Sequence, residues 1–283
     1  MGRFVPELVP FLVSFFSVRF PSNRHSENVL SEDSKLFVLS ILSDVAYSCR
    51  DSSTHIPLFF SAFDQLWRQS LEMGDRASQL QLVRFLSLLV SLQGASRSMN
   101  ASLQEGSQIM DSSSQGGSFS MDASFQGASL TTGAPFQNIS HTMDASSFLG
   151  VVKFVLTDSE KDLFLEDGLI LWSRTMRLPS LTYTPPVHAM FSILVSEYSR
   201  DMKNFQSVMT ILDAYLCLGK TTFLADYASS LTEMFQTLLR VVSARDFPRL
   251  ITSMHMLLVL FPTEGCSIVG RFIDTMFHSL SSP

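Results

Sequence analysis

The chain has 283 residues, 46% of them hydrophobic, which is enough apolar material to bury a large core in one elongated or two compact units. Wholesale disorder is excluded. A formal net charge of −6, with 20 basic residues spread thinly, excludes the stripe of Lys and Arg that grips nucleic acid and favours a basic or neutral protein partner.

At the amino terminus, Arg3 followed by PFLVSFFSV imitates a secretory leader. Glu7, Pro6, Pro10 and the lack of a small-residue cleavage site oppose that reading. Gly2 does not signal a lipid anchor, because Pro6 stands where myristoylation needs Ser or Thr. Ser31, Asp33 and Ser34 open the next helix, and LFVLSILSDVAY up to Tyr47 is apolar on more than one side, as in a helix packed on several neighbours. Two stripes at helical spacing follow: Phe59, Phe63, Leu66 and Trp67, then Leu82, Phe85, Leu86 and Leu89.

Residues 94–147 are of another kind. The segment holds fourteen Ser and six Gly, too little apolar surface to offset its ordering entropy, so a disordered insert is expected. The insert is also periodic: Gln93, Gln104, Gln115, Gln126 and Gln137 are eleven residues apart, as are Ser96, Ser107, Ser118, Ser129 and Ser140. A tandem duplication grown out of a helix end explains this. The glycines oppose a helix, and the lack of Lys or Arg between Arg97 and Lys153 opposes an anionic membrane. Phosphorylation of the serines would be the functional alternative.

Helical signals then resume. Ser159 with Asp162, and Thr184 before Pro185 and Pro186, are start signals. The stripe Leu224, Tyr227, Leu231, Met234, Leu238 and Val242 is followed by Leu250, Met254, Leu257 and Phe261, then by Val269, Phe272, Ile273, Met276 and Leu280. Breaks are expected near Pro21, Thr54, Gly74, Pro179, Gly219 and Gly265. Strand-type alternation is absent. About eleven helices in pairs of roughly 40 residues fit the repeat length of a HEAT-type stack. The expected fold is therefore all-α, an α-solenoid of antiparallel helix pairs (a HEAT/ARM-like superhelix), with residues 1–93 and 148–283 forming one stack around the 94–147 insert. A four-helix bundle would show one stripe per helix, which these helices do not.

Candidate chemistry is sparse. Cys49, Cys217 and Cys266 lie far apart in apolar helical patterns and read as reduced core residues, which fits the cytosol or nucleus. The sequons at Asn100 and Asn138 would matter only in a secreted chain. Gly219-Lys220-Thr221-Thr222 has the ending of a phosphate-binding loop, but the earlier glycine falls at Ala214 inside a helical run, so the segment reduces to a helix boundary. The histidines His25, His55, His141, His188, His255 and His278 are isolated, none with a Cys or second His at helical ligand spacing. No catalytic, cofactor-binding or metal-binding residue is assigned, no cofactor is implied, and the chain reads as a non-enzyme. Asp162 and Glu166 share a helix face with Asp167 beside them; a cationic partner or a solvated acidic face near a helix start would each account for them. No apolar run reaches the roughly 20 residues of a membrane span, and the uncharged stretch from Leu250 to Thr263 falls short, so membrane insertion is not expected.

LEDGLILW (Leu165 to Trp172), MTILDAYLCL followed by TTFLADYASSLTEMFQTLL (Met209 to Leu239), and PLFFSAFDQLWRQSLE (Pro57 to Glu72) together resemble the importin-β (karyopherin) nuclear transport receptors, in particular the importin-eleven-like branch. The resemblance implies a helical-repeat receptor of the cytoplasm, nucleus and nuclear pore, which binds protein cargo, contacts Phe-Gly nucleoporins and releases import cargo when Ran-GTP binds. It also implies the middle-to-late part of a longer protein, since such receptors are several times longer and hold Ran mainly through amino-terminal repeats. The first helix agrees, because Phe4, Leu8, Phe11, Leu12, Phe15 and Phe16 leave it no polar outer face, and self-association of the isolated chain is expected. A general protein-interaction scaffold outside nuclear transport would use the same architecture.

Overall fold

The computed structural model describes residues 4–16, 19–20, 28–29, 32–50, 53–107, 145–157, 161–197 and 202–273. Ten α-helices stand among them. In chain order these are α1 (Val5–Phe16), α2 (Glu32–Ser48), α3 (Ile56–Met73), α4 (Arg76–Ser107), α5 (Ala145–Thr157), α6 (Lys161–Thr175), α7 (Pro185–Glu197), α8 (Phe205–Val241), α9 (Phe247–Leu260) and α10 (Pro262–Val269). The β-structure among the described residues is one antiparallel pairing of two residues on each side, Arg19 with Val29 and Phe20 with Asn28. The fold is all-α.

Helices pack as neighbours in sequence: α1 on α2, α3 on α4, α5 on α6, and α7 on α8. The even-numbered helices α2, α4, α6 and α8 then stack in one row. In the other row α1 lies on α3 and α5 on α7, while Phe60 and Trp67 of α3 meet Phe148 and Phe154 of α5 at ring separations of 5.3 and 5.8 Å. Two rows of helices, each touching only its neighbours, make an α-solenoid of antiparallel pairs, as the sequence implies. From Ala145 at the start of α5 to Pro185 at the start of α7 the chain advances by roughly 40 residues, the period of HEAT-type pairs. A third layer follows, with α9 on α8 and α10 on α9.

The stripes read from the sequence become the core. Phe59, Phe63, Leu66, Trp67, Leu82, Phe85, Leu86 and Leu89 are all buried, as are Leu224, Leu231, Met234 and Leu238 farther along. At the expected boundaries, α3 closes on Gly74, whose φ of 65° lies in the left-handed region that glycine adopts at least cost, and α7 begins at Pro185. Asp75 caps α4: its Oδ1 accepts the Ser78 N–H at 3.0 Å and its Oδ2 receives the Lys35 ammonium at 3.0 Å, tying α2 to the α3–α4 turn. Burial alone would push the Asp75 carboxyl up, but the Ser78 N–H and hydroxyl and the Lys35 ammonium together hold it below its ordinary value.

Several expectations need correction. The break assigned to Gly265 falls instead between Phe261 and Pro262, because the ring of Pro262 cannot continue α9 and opens α10 at its first position. Gly265 sits inside α10, where a Cβ would meet the Leu257 carbonyl at 2.9 Å. The segment 94–147 starts as helix: α4 runs through Gly94 to Ser107 and α5 starts at Ala145, so two helical glycines, Gly94 and Gly106, each worth about 1 kcal/mol, did not outweigh the preceding turns. Residues 108–144, with the rest of the periodic segment and Asn138, lie outside the described residues, as does the expected break at Pro21. In α1, Leu12 and Phe16 are buried with Val5, Val9 and Val13 against the next helices; Phe4, Phe11 and Phe15 remain on the open side.

Candidate functional site

The part of the molecule with the densest polar chemistry is the bend in α8. Every residue from Phe205 to Val241 is helical except Lys220, with φ 48° and ψ −135°, a conformation that costs an L-residue about 1–3 kcal/mol. The preceding Gly219 has no room for a side chain: a Cβ there would lie 2.4 Å from the Phe223 Cβ and 2.6 Å from the Tyr183 ring. The boundary expected at Gly219 is thus an elbow inside one element.

The first turn of α7 holds both arms of that elbow. From the amino-terminal arm, the Tyr215 hydroxyl donates to the Val187 carbonyl at 2.7 Å. From the carboxy-terminal arm, the Tyr227 hydroxyl donates to the His188 carbonyl at 3.1 Å, and Asp226 meets His188 Nε2 at 3.2 Å. The other ring nitrogen, Nδ1, is 2.6 Å from the Tyr183 hydroxyl. Both ring nitrogens of His188 are thus engaged, Nδ1 by the Tyr183 hydroxyl and Nε2 by the Asp226 carboxylate. Phe191, one turn along α7, fills the angle, with ring separations of 5.1 Å to Tyr215, 4.7 Å to Phe223 and 4.7 Å to Tyr227. Burial, and then the neighbouring Tyr227 and Asp226, push the Tyr183 phenol up to about 12, so its proton stays on. Burial drives Tyr215 further in the same direction.

A Tyr–His–Asp series can relay a proton, but here the phenol faces a helix bend packed by rings. A cavity of about 690 Å³ lies elsewhere, between the carboxy-terminal arm of α8 and α10, with Thr221, Ala225, Ser229, Thr263, Ser267 and Arg271 among its lining. The arrangement suits holding a backbone geometry. Sequence reasoning missed it because Tyr183 precedes α7 and Asp226 belongs to another helix, so neither stands at helical spacing from His188. The available signal was a polar His and two Tyr inside apolar stripes.

The other flagged residues scatter. His55 precedes α3 and His255 is exposed on α9, while His25, His141 and His278 lie outside the described residues. Among the described residues, no cluster of three His, Cys, Asp or Glu could hold a metal ion. The core assignment of the cysteines fails for two of three: all are free, but Cys217 and Cys266 are exposed and Cys49 is half-buried, because each falls at the edge of its stripe. Partial burial and the nearby Asp213 push the Cys217 thiol up, which makes it a poor nucleophile. Asp167 pairs with Arg84 of α4 at 3.0 Å, so part of the acidic face joins two repeats. By length and composition the stretch Met202–Val241 would reach across a membrane, which the sequence reading did not pick out. Half of its most apolar window is buried within the fold and the elbow interrupts it, as suits a core helix of the stack.

The LEDGLILW stretch is mostly packing. Leu169, Leu171 and Trp172 are buried, Asp167 reaches Arg84, and Gly168 lets α6 lie on α5 where a Cβ would come within 2.9 Å of Leu156. A family model described as importin-11-like TPR repeats matches residues 148–281, which contain this stretch, the elbow and the cavity. Over residues 148–281 the chain is similar to importin-11-like repeats. Mouse Importin-11 is 26% identical over 116 residues, covering 41% of this chain and 12% of its own length. The chain therefore matches only a small part of that relative. No solved structure matches it. Both findings accord with a chain of the importin-β family, and α1–α4 join the matched part in one stack through α4 on α6 and α3 on α5.

Proposed function

We propose that the protein acts as a nuclear transport receptor of the importin-β family, carrying protein cargo into the nucleus, passing the pore through Phe-Gly nucleoporins and releasing cargo when Ran-GTP binds. The observation that carries this reading is the run of importin-11-like repeats over residues 148–281. The architecture supports it. A stack in which each helix pair touches only its neighbours leaves a long continuous surface on either row, suited to gripping a folded cargo by many small contacts. The formal charge of −6 favours basic cargo, whose encounter it would accelerate at low salt. Cytoplasm, nucleus and nuclear envelope are the corresponding locations.

The test is a pull-down of the natural full-length protein against Ran loaded with GTP or GDP and against Phe-Gly repeat peptides, together with imaging of the tagged protein. Retention on Ran-GTP but not Ran-GDP, binding to Phe-Gly repeats and a nuclear-rim signal are expected. A protein that binds neither and never reaches the rim is instead a helical-repeat scaffold of another assembly.

A further inference from the structure

We propose that the elbow of α8 is a latched hinge: a bent state held by the first turn of α7 and a straight state in which α8 is one continuous helix, exchanged by rotation about Lys220. This does not depend on the transport reading.

Three observations carry it. First, the whole bend resides in one residue, since Lys220 alone departs from helical dihedrals between Phe205 and Val241. Lys is a good helix former, so returning Lys220 to the helical region would leave no other residue to adjust. Second, the bent conformation is strained at Lys220, and strained φ/ψ persists where surrounding contacts over-determine it. Those contacts are the four bonds on the α7 turn: Tyr215 to Val187 from one arm, Tyr227 and Asp226 to His188 from the other, and Tyr183 to His188 at the bend. Third, the latch is accessible. The Asp226 side chain is 60% exposed and that of His188 25%, so a competing cation could draw Asp226 away without opening the core. The groups that face the imidazole are Tyr183, from the segment before α7, and Asp226 and Tyr227 from α8.

The consequence falls on the cavity. Thr221, Leu224, Ala225, Ala228, Ser229 and Thr232 line it from the same arm that the latch holds. Rotating that arm changes the cavity and the angle between the repeats before and after Lys220. Bistable elements of this kind convert a small local change into a shift between packed bodies.

The experiment measures the distance between spin labels at the exposed native Cys217 and at Gln236→Cys, in the full chain carrying Cys49→Ser and Cys266→Ser. At about 1.5 Å of rise per residue, a straight α8 separates these two positions by about 28 Å along the axis, and the bent state by less. Wild type is expected to show the short distance. The Tyr227→Phe/Asp226→Ala pair, which removes the two latch bonds of the carboxy-terminal arm while keeping its rings in place, should add a population at the longer, straight-helix distance. Gly219→Ala, which the bend has no room for and a straight helix welcomes, should shift most of the distribution there with helical circular dichroism retained. A short distance kept in both variants overturns the hinge, and so does loss of helicity in Gly219→Ala, which would show that the bend is the only folded state.

Discussion

The first and sixth helices have similar raw material and different fates. α1 carries VPELVPFLVSFF and α6 carries KDLFLEDGLILWSRT, each with large apolar side chains on more than one side. In α6, Phe164, Leu169, Leu171 and Trp172 are all buried, because α4, α5 and α8 surround it. In α1, only the face toward α2 and α3 is covered, and Phe4, Phe11 and Phe15 stand 71%, 62% and 38% exposed. Burial in a stack is decided by how many neighbours a helix has, more than by its own composition.

That contrast can be broken most severely from the inside. Trp172→Ala should cost about 3–5 kcal/mol in chemical denaturation, since it empties a site walled on three sides by packed helices; a loss under about 1 kcal/mol would mean that α6 is not central. Next comes the tie between α2 and the α3–α4 turn. Asp75→Ala removes a helix cap and leaves the Lys35 ammonium, 7% exposed, without its carboxylate partner, for about 3 kcal/mol. Its pH signature has a definite sign. The folded Asp75 carboxyl lies below its ordinary 3.8, so its contribution is complete above that value and is lost as pH falls through the depressed folded value. Wild type should therefore lose more stability than Asp75→Asn on acidification from pH 5 to pH 2, measured by urea midpoints at each pH.

Gly168→Ala should cost about 1–3 kcal/mol, because α5 and α6 must separate for the added methyl. Unchanged stability would show that the Leu156 side chain simply turns aside. The smallest effect on stability belongs to the open face of α1. Phe11→Ser should change it by no more than about 0.5 kcal/mol while reducing self-association seen by light scattering, because Phe11 stacks on Phe15 at 6.5 Å in solvent. A wild-type chain that is monodisperse at high concentration would refute the idea that this face seeks a partner.

Much of this was legible in the residues. The helical stripes mark core positions such as Phe63, Leu86 and Leu231, because a helix can bury only one face per neighbour and the neighbours recur with the repeat. Boundaries were legible where a single residue imposes a dihedral, at Gly74 and Pro185, and misread where two candidates competed, as Gly265 did with Pro262. The exposure of Cys217 and Cys266 was hidden because periodicity locates a stripe but not its edge. The elbow's polar set was hidden for a deeper reason: the contacts of His188 with Tyr183, Asp226 and Tyr227 depend on a turn at Lys220 that brings residues from three segments together, and no local spacing encodes such a meeting.

The seam between α4 and α6 has one more consequence. Arg84 grips Asp167 across it, Arg174 donates to the Ser87 hydroxyl at 2.8 Å, and Phe60 and Trp67 clasp Phe148 and Phe154 behind it. These contacts join the two halves of the rod without using the polypeptide between Ser107 and Ala145. Severing the backbone there should yield two pieces that stay together, and separately expressed pieces should reconstitute the rod as a split protein.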